Sequence, residues 1–150
     1  MKNLYEPGVA LQIEERLAKL NPDSPRQFGK MMPAQMVEHC SRAMELALGD
    51  SRPPRMFVGR IVGAFIKPML LGNDKPMRPG APTAKSLIVA DERDLEVERH
   101  RLSVLIDRFV SGGSACCTTH PHTFFGHLTP EQWSILMYKH LDHHLRQFGV

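Results

Sequence analysis

From Thr129 to Val150 the chain alternates apolar and polar residues with a helical period. Trp133, Leu136, Met137, His140, Leu141, His144, Leu145 and Phe148 share one broad face at 100° per residue, while Lys139, Asp142 and Arg146 fall elsewhere. Thr129 suits the cap, Pro130 the first helical position, and Glu131 or Gln132 can satisfy free amides of the first turn. Going back to the start, Val9, Leu11, Ile13, Leu17 and Leu20 predict a short amphipathic helix within Gly8 to Leu20, ended before "NPDSP". Pro33 opens a second helix that runs to about Leu48 and stops at Gly49. Its stripe is Met36, Val37, Cys40, Ala43, Met44 and Ala47, its wet face Gln35, Glu38, Arg42 and Glu45, and His39 lies on the flank.

The segment from Arg55 to Leu71 is apolar but interrupted by Arg60, Lys67 and Pro68. An interfacial helix or a dimer face is one reading. The favoured one is a helix packed into the core and kinked or ended near Pro68. Gly72 to Thr83 reads as a long loop, of the kind that borders pockets. A further helix is expected from about Asp91 to Val110, with Leu95, Leu102, Leu105, Ile106 and Phe109 inward, His100 solvated and "SGGS" as its end. A connection carrying His120, His122, His127, Phe124 and Phe125 leads into the last helix. No series of alternating strands competes, so the class is all-α.

A length of 150 residues, 42% hydrophobic and 23% charged, fits one domain spanning residues 1–150. The charge of +3 is slight and scattered, which argues against nucleic-acid binding. No apolar run reaches the roughly 20 residues needed to span a bilayer, and the N-terminal stretch has no signal-peptide core, so a cytoplasmic protein with no membrane partner is expected. Cys40, Cys116 and Cys117 match no spaced metal motif. They read as reduced thiols, the adjacent pair as two unrelated ones.

The chemistry sits with the histidines. His140 and His144 are four residues apart, which brings side chains to roughly 5–6 Å between Cβ atoms and lets two imidazoles converge on one ion. A lone histidine such as His39 is more often a hydrogen-bonded core residue. Two imidazoles facing a core change that balance, because a divalent ion partners both at once. His39 is the best third ligand on facing grounds, His143 lies at the edge, Asp142 points away, and His120 or His122 ranks below His39 as a ligand or pocket base. Three neutral imidazoles leave an open position for water or substrate. Zinc is favoured by abundance, with nickel, iron and manganese also compatible with imidazole.

The stretches "FGKMMPAQMVEHC" around His39, "GAPT" at Gly80 to Thr83, "HPHTFFGHLTPEQW" at His120 to Trp133 and "YKHLDHHLRQFG" at Tyr138 to Gly149 together resemble the DinB/YfiT-like metal-binding superfamily. The resemblance implies an up-and-down four-helix bundle, here with an additional short helix and long loops, and a histidine triad carried by position onto His39, His140 and His144. Relatives in that superfamily include thiol-dependent transferases and isomerases. That implies a metal acting with a low-molecular-weight thiol, or with water as in a hydrolase, on a small-molecule substrate. A non-catalytic protein holding a metal or small ligand, or a structural homodimer with a polar histidine core, is the alternative.

Overall fold

The computed structural model describes residues 1–80 and 83–150. Ala81 and Pro82, the middle of the Gly80-to-Thr83 motif, lie outside the described residues. The described residues form five helices: α1 (Val9–Lys19), α2 (Pro33–Leu48), α3 (Phe57–Leu71), α4 (Leu95–Cys116) and α5 (Pro130–Arg146), with one 3-10 turn at Lys85–Leu87. Among the described residues the only extended pairing is an isolated bridge between His122 and Gly126. The architecture is all-helical.

Helix ends follow the local chemistry. Thr129 Oγ1 accepts from the Gln132 amide at 3.2 Å while Gln132 Oε1 accepts from the Thr129 amide at 3.1 Å, a reciprocal cap that fixes where α5 starts. Gly49 closes α2 in the left-handed region at φ 80°, where a side chain would be strained. α4 differs from its expected limits. It starts at Leu95, with Asp94 Oδ1 accepting from the Val97 amide at 3.0 Å, and "SGGS" interrupts it at Gly113 (φ 56°, ψ −147°) instead of ending it.

The core runs continuously through α1, α2, α4 and α5, with Ile13, Met44, Ile106, Phe109, Trp133 and Leu141 among its fully buried members. α2 lies along α4, and α5 contacts each of the other helices. Two residues expected off the apolar faces are buried. Glu38 is 3% exposed and pairs with Arg42 at 2.7 Å and with Arg101, so the α2–α4 seam is closed by an ion network beside the apolar stripe. Lys139 is 4% exposed and donates through Nζ to the carbonyls of Leu70 (2.6 Å), Asn73 and Lys75 (3.1 Å). A cation at the C-terminal end of α3 meets carbonyls that have no helical partner and the negative end of the helix dipole.

The core-packed reading of Arg55 to Leu71 is corrected. α3 continues past Pro68 to Leu71, and its large apolar side chains point outward: Phe57 and Phe65 are each 76% exposed and Met69 73%. The inward face is made of small residues. A Cβ on Gly59 would sit 2.6 Å from the Phe124 Cα, and one on Gly63 would strike the Phe124 carbonyl. Glycine therefore lets the α3 backbone press onto the 122–126 connection, and the bulky residues are left on the opposite side. Among the described residues no helix is long and apolar enough to cross a membrane.

Candidate metal centre

α2 and α5 bring His39, His140 and His144 together. Their ring centroids form a nearly equilateral triangle, 4.9 Å between His39 and His140 and 4.6 Å on each of the other two sides. One ring nitrogen from each lies within 4.8 Å of the other two. His39 and His144 are buried, and His140 is partly exposed. The spacing of His140 and His144 along α5 and the flank position of His39 on α2 thus meet at one point.

Hydrogen bonding decides which nitrogens face that point. His39 Nδ1 lies 2.8 Å from the Leu87 carbonyl, which can only accept, so Nδ1 carries the proton and Nε2 keeps its lone pair. His144 Nδ1 donates to Gln147 Oε1 at 3.0 Å, with the same consequence for its Nε2. Imidazoles that bind metals are oriented in this way, the far ring nitrogen tied to a carbonyl or amide oxygen. His39 Nε2 and His140 Nε2 are 3.0 Å apart. Two imidazole nitrogens on one tetrahedral zinc ion would be separated by about 3.3 Å, so the donor set and its spacing fit a divalent cation. Without an ion the same contact is a hydrogen bond, donated by His140 Nε2–H to His39 Nε2.

Electrostatics keep the triad neutral. Burial lowers the pKa of His39, the Leu87 hydrogen bond opposes this, and Arg42 adds to the lowering. Burial, then the neighbouring His144 and His39, pushes His140 well below its ordinary value. Burial first and His39 second take His144 down to about 3. Three uncharged imidazoles at neutral pH each keep one ring lone pair.

The triad lies in the wall of a cavity of about 1410 Å³. His143 also lines it, with Nδ1 3.2 Å from the Met77 carbonyl and its ring 5.0 Å from that of Phe28, which ties the 72–80 loop over the histidines. His122 lines it too. Its Nδ1 accepts from the Phe124 and Phe125 amides at 3.0 and 3.1 Å, so it caps the turn that α3 packs on and does not belong to the triad. His120 meets the Pro53 carbonyl at 3.3 Å, and His127 and His100 are exposed. Cys117 Sγ pairs with Tyr5 Oη at 3.0 Å, while Cys116 Sγ donates to Gly113 O at 3.1 Å, so the two thiols have separate structural partners.

Two supporting groups escaped the sequence reading. Gln147 stands three residues after His144, a spacing that marks it as a neighbour on the helix. The Leu87 carbonyl has no side-chain signature, and the 3-10 turn that delivers it follows a proline-rich loop.

No curated protein and no solved structure gives a significant match to the chain. A family model described as "Protein of unknown function (DUF1569)" matches residues 10–149, nearly the whole length and all three histidines of the triad. The chain belongs to the DUF1569 family.

Proposed function

We propose that His39, His140 and His144 bind one divalent metal ion, zinc first, and that the protein uses it to act on a small molecule, by thiol transfer or by hydrolysis. One observation carries the reading: two of the three imidazoles have their Nδ1 protons fixed by Leu87 and Gln147, which leaves their Nε2 lone pairs for the shared point. The helices α1, α2, α4 and α5 would then be an up-and-down four-helix bundle of the DinB/YfiT-like kind. Its triad supplies one ligand from α2 and two from α5. When bound, the ion supplies Lewis acidity toward a water or low-molecular-weight thiol at its open position. The chain itself orients the ligands through Leu87 and Gln147 and keeps them neutral by burial.

Elemental analysis of untagged protein tests this directly. About one ion per chain is expected, lost in His39→Ala, His140→Ala and His144→Ala while helical content persists. Metal-dependent consumption of chloro-dinitrobenzene with a cellular thiol would establish transfer, and of a nitrophenyl ester, hydrolysis. The 3.0 Å contact between His39 Nε2 and His140 Nε2 also supports a second reading, in which the triad is a metal-free polar core. There the same variants would lower stability with no change in metal content.

A further inference from the structure

The chamber next to the triad is large and of unusual composition. Its volume of about 1410 Å³ exceeds the roughly 300–1,000 Å³ of sites for drug-sized ligands. Five of the nine methionines line it, Met31, Met56, Met69, Met77 and Met137. Methionine is unbranched, flexible and polarizable, so a methionine wall adapts to flexible apolar ligands better than a wall of branched residues does. The chamber also opens along α3. Met69 lines it and is 73% exposed, and Ile66 lines it and is 38% exposed, so the apolar wall continues onto the outward arc of α3 that carries Phe65.

Charge in the chamber has one sign. Among the described lining residues there is no aspartate or glutamate, while Lys30, Lys75 and Arg78 are present and exposed. Three neutral imidazoles do nothing to cancel the charge of a divalent ion, and an uncompensated charge in an apolar surround is costly. With an ion bound, an anion from outside the chain would compensate its charge, and the rim cations would raise that anion's local concentration.

We propose that the ligand of this chamber is an anionic amphiphile, a medium- to long-chain aliphatic carboxylate, whose head group lies at the three histidines and whose chain fills the methionine-lined space toward Ile66 and Met69. The seat of the head group rests on the metal reading above; the apolar chamber does not.

Calorimetric titration with dodecanoate and 1-dodecanol tests the proposal, on zinc-loaded protein, on chelator-treated protein and on the Lys75→Glu/Arg78→Glu variant. Zinc content is measured separately. Zinc-loaded protein is expected to bind dodecanoate about tenfold or more tightly than dodecanol, with a several-fold loss in the charge-reversed variant. Equal binding of dodecanol overturns the proposal. No binding of either compound to protein carrying one zinc per chain also overturns it and leaves the metal reading standing. Preference for dodecanoate in protein that takes up no zinc upholds the ligand class and overturns the metal reading.

Discussion

His144 Nδ1 donates to Gln147 Oε1 at 3.0 Å, and both side chains are buried, at 8% and 2% exposure. The pair holds one imidazole of the triad in a single tautomer and orientation. Gln147→Leu removes the acceptor and leaves His144 free to rotate or to place its proton on Nε2. Loss of such a supporting bond costs about 10- to 100-fold in metal affinity. Competition with a chromophoric chelator should show a drop of that order for zinc in Gln147→Leu and a smaller one in Gln147→Glu. Unchanged affinity in Gln147→Leu would separate the hydrogen bond from metal binding.

Lys139 ties α5 to the end of α3 through three backbone carbonyls. Burial lowers its pKa and Asp74 partly opposes that, so the ammonium is held against a desolvation cost. Lys139→Met keeps the apolar stem and strands those carbonyls. Urea unfolding should register a loss on the order of 3 kcal/mol, the range for buried hydrogen bonds to a charged group. Because Leu70, Asn73 and Lys75 line the chamber, the variant should also bind dodecanoate less tightly.

The two faces of α3 make opposite predictions. Gly63→Ala forces a methyl group into the Phe124 carbonyl, and should cost about 1–3 kcal/mol by pushing the helix off the 122–126 connection. Phe65→Ser changes a residue that is 76% exposed and should move stability by less than about 0.5 kcal/mol. Comparable losses in both variants would mean that the outward arc is covered in solution.

Most of this was legible because the deciding forces are local. Thr129-Pro130 and Gly49 fix helix ends through neighbouring amides, and the period of α5 aims His140 and His144 at one point. What escaped depended on partners distant in sequence. Lys139 and Glu38 look like solvent-facing residues until the end of α3 is brought to the one and Arg101 of α4 to the other. The orientation of α3 was misread because a stripe of large apolar residues is the usual sign of an inward face. Here the glycines opposite decide the packing, through a contact with Phe124 about sixty residues away. The cavity came from the same source. The methionines that line it are spread over loops and two helices, α3 and α5, and no periodicity groups them.

The pH dependence of stability follows from His122, whose Nδ1 accepts two backbone amides and therefore must stay unprotonated in the fold. Burial, with Arg55 as a second cause, lowers its pKa from 6.5 to about 4. Between those values the unfolded chain binds the proton and the folded chain does not. The stability contributed by the neutral ring is therefore fully present above about pH 6.5 and lost as pH falls toward 4, by roughly 3 kcal/mol in total. His144, lowered to about 3, adds a loss of the same sign in metal-free protein. His122→Asn places an amide oxygen near the Nδ1 position, able to cap Phe124 and Phe125, and has no proton to gain. Urea unfolding in chelator at pH 7, 5.5 and 4.5 should show a shallower decline for His122→Asn than for the parent. Parallel declines would show that His122 titrates in the folded protein as it does in the unfolded chain, and that its two amide contacts do not hold it neutral.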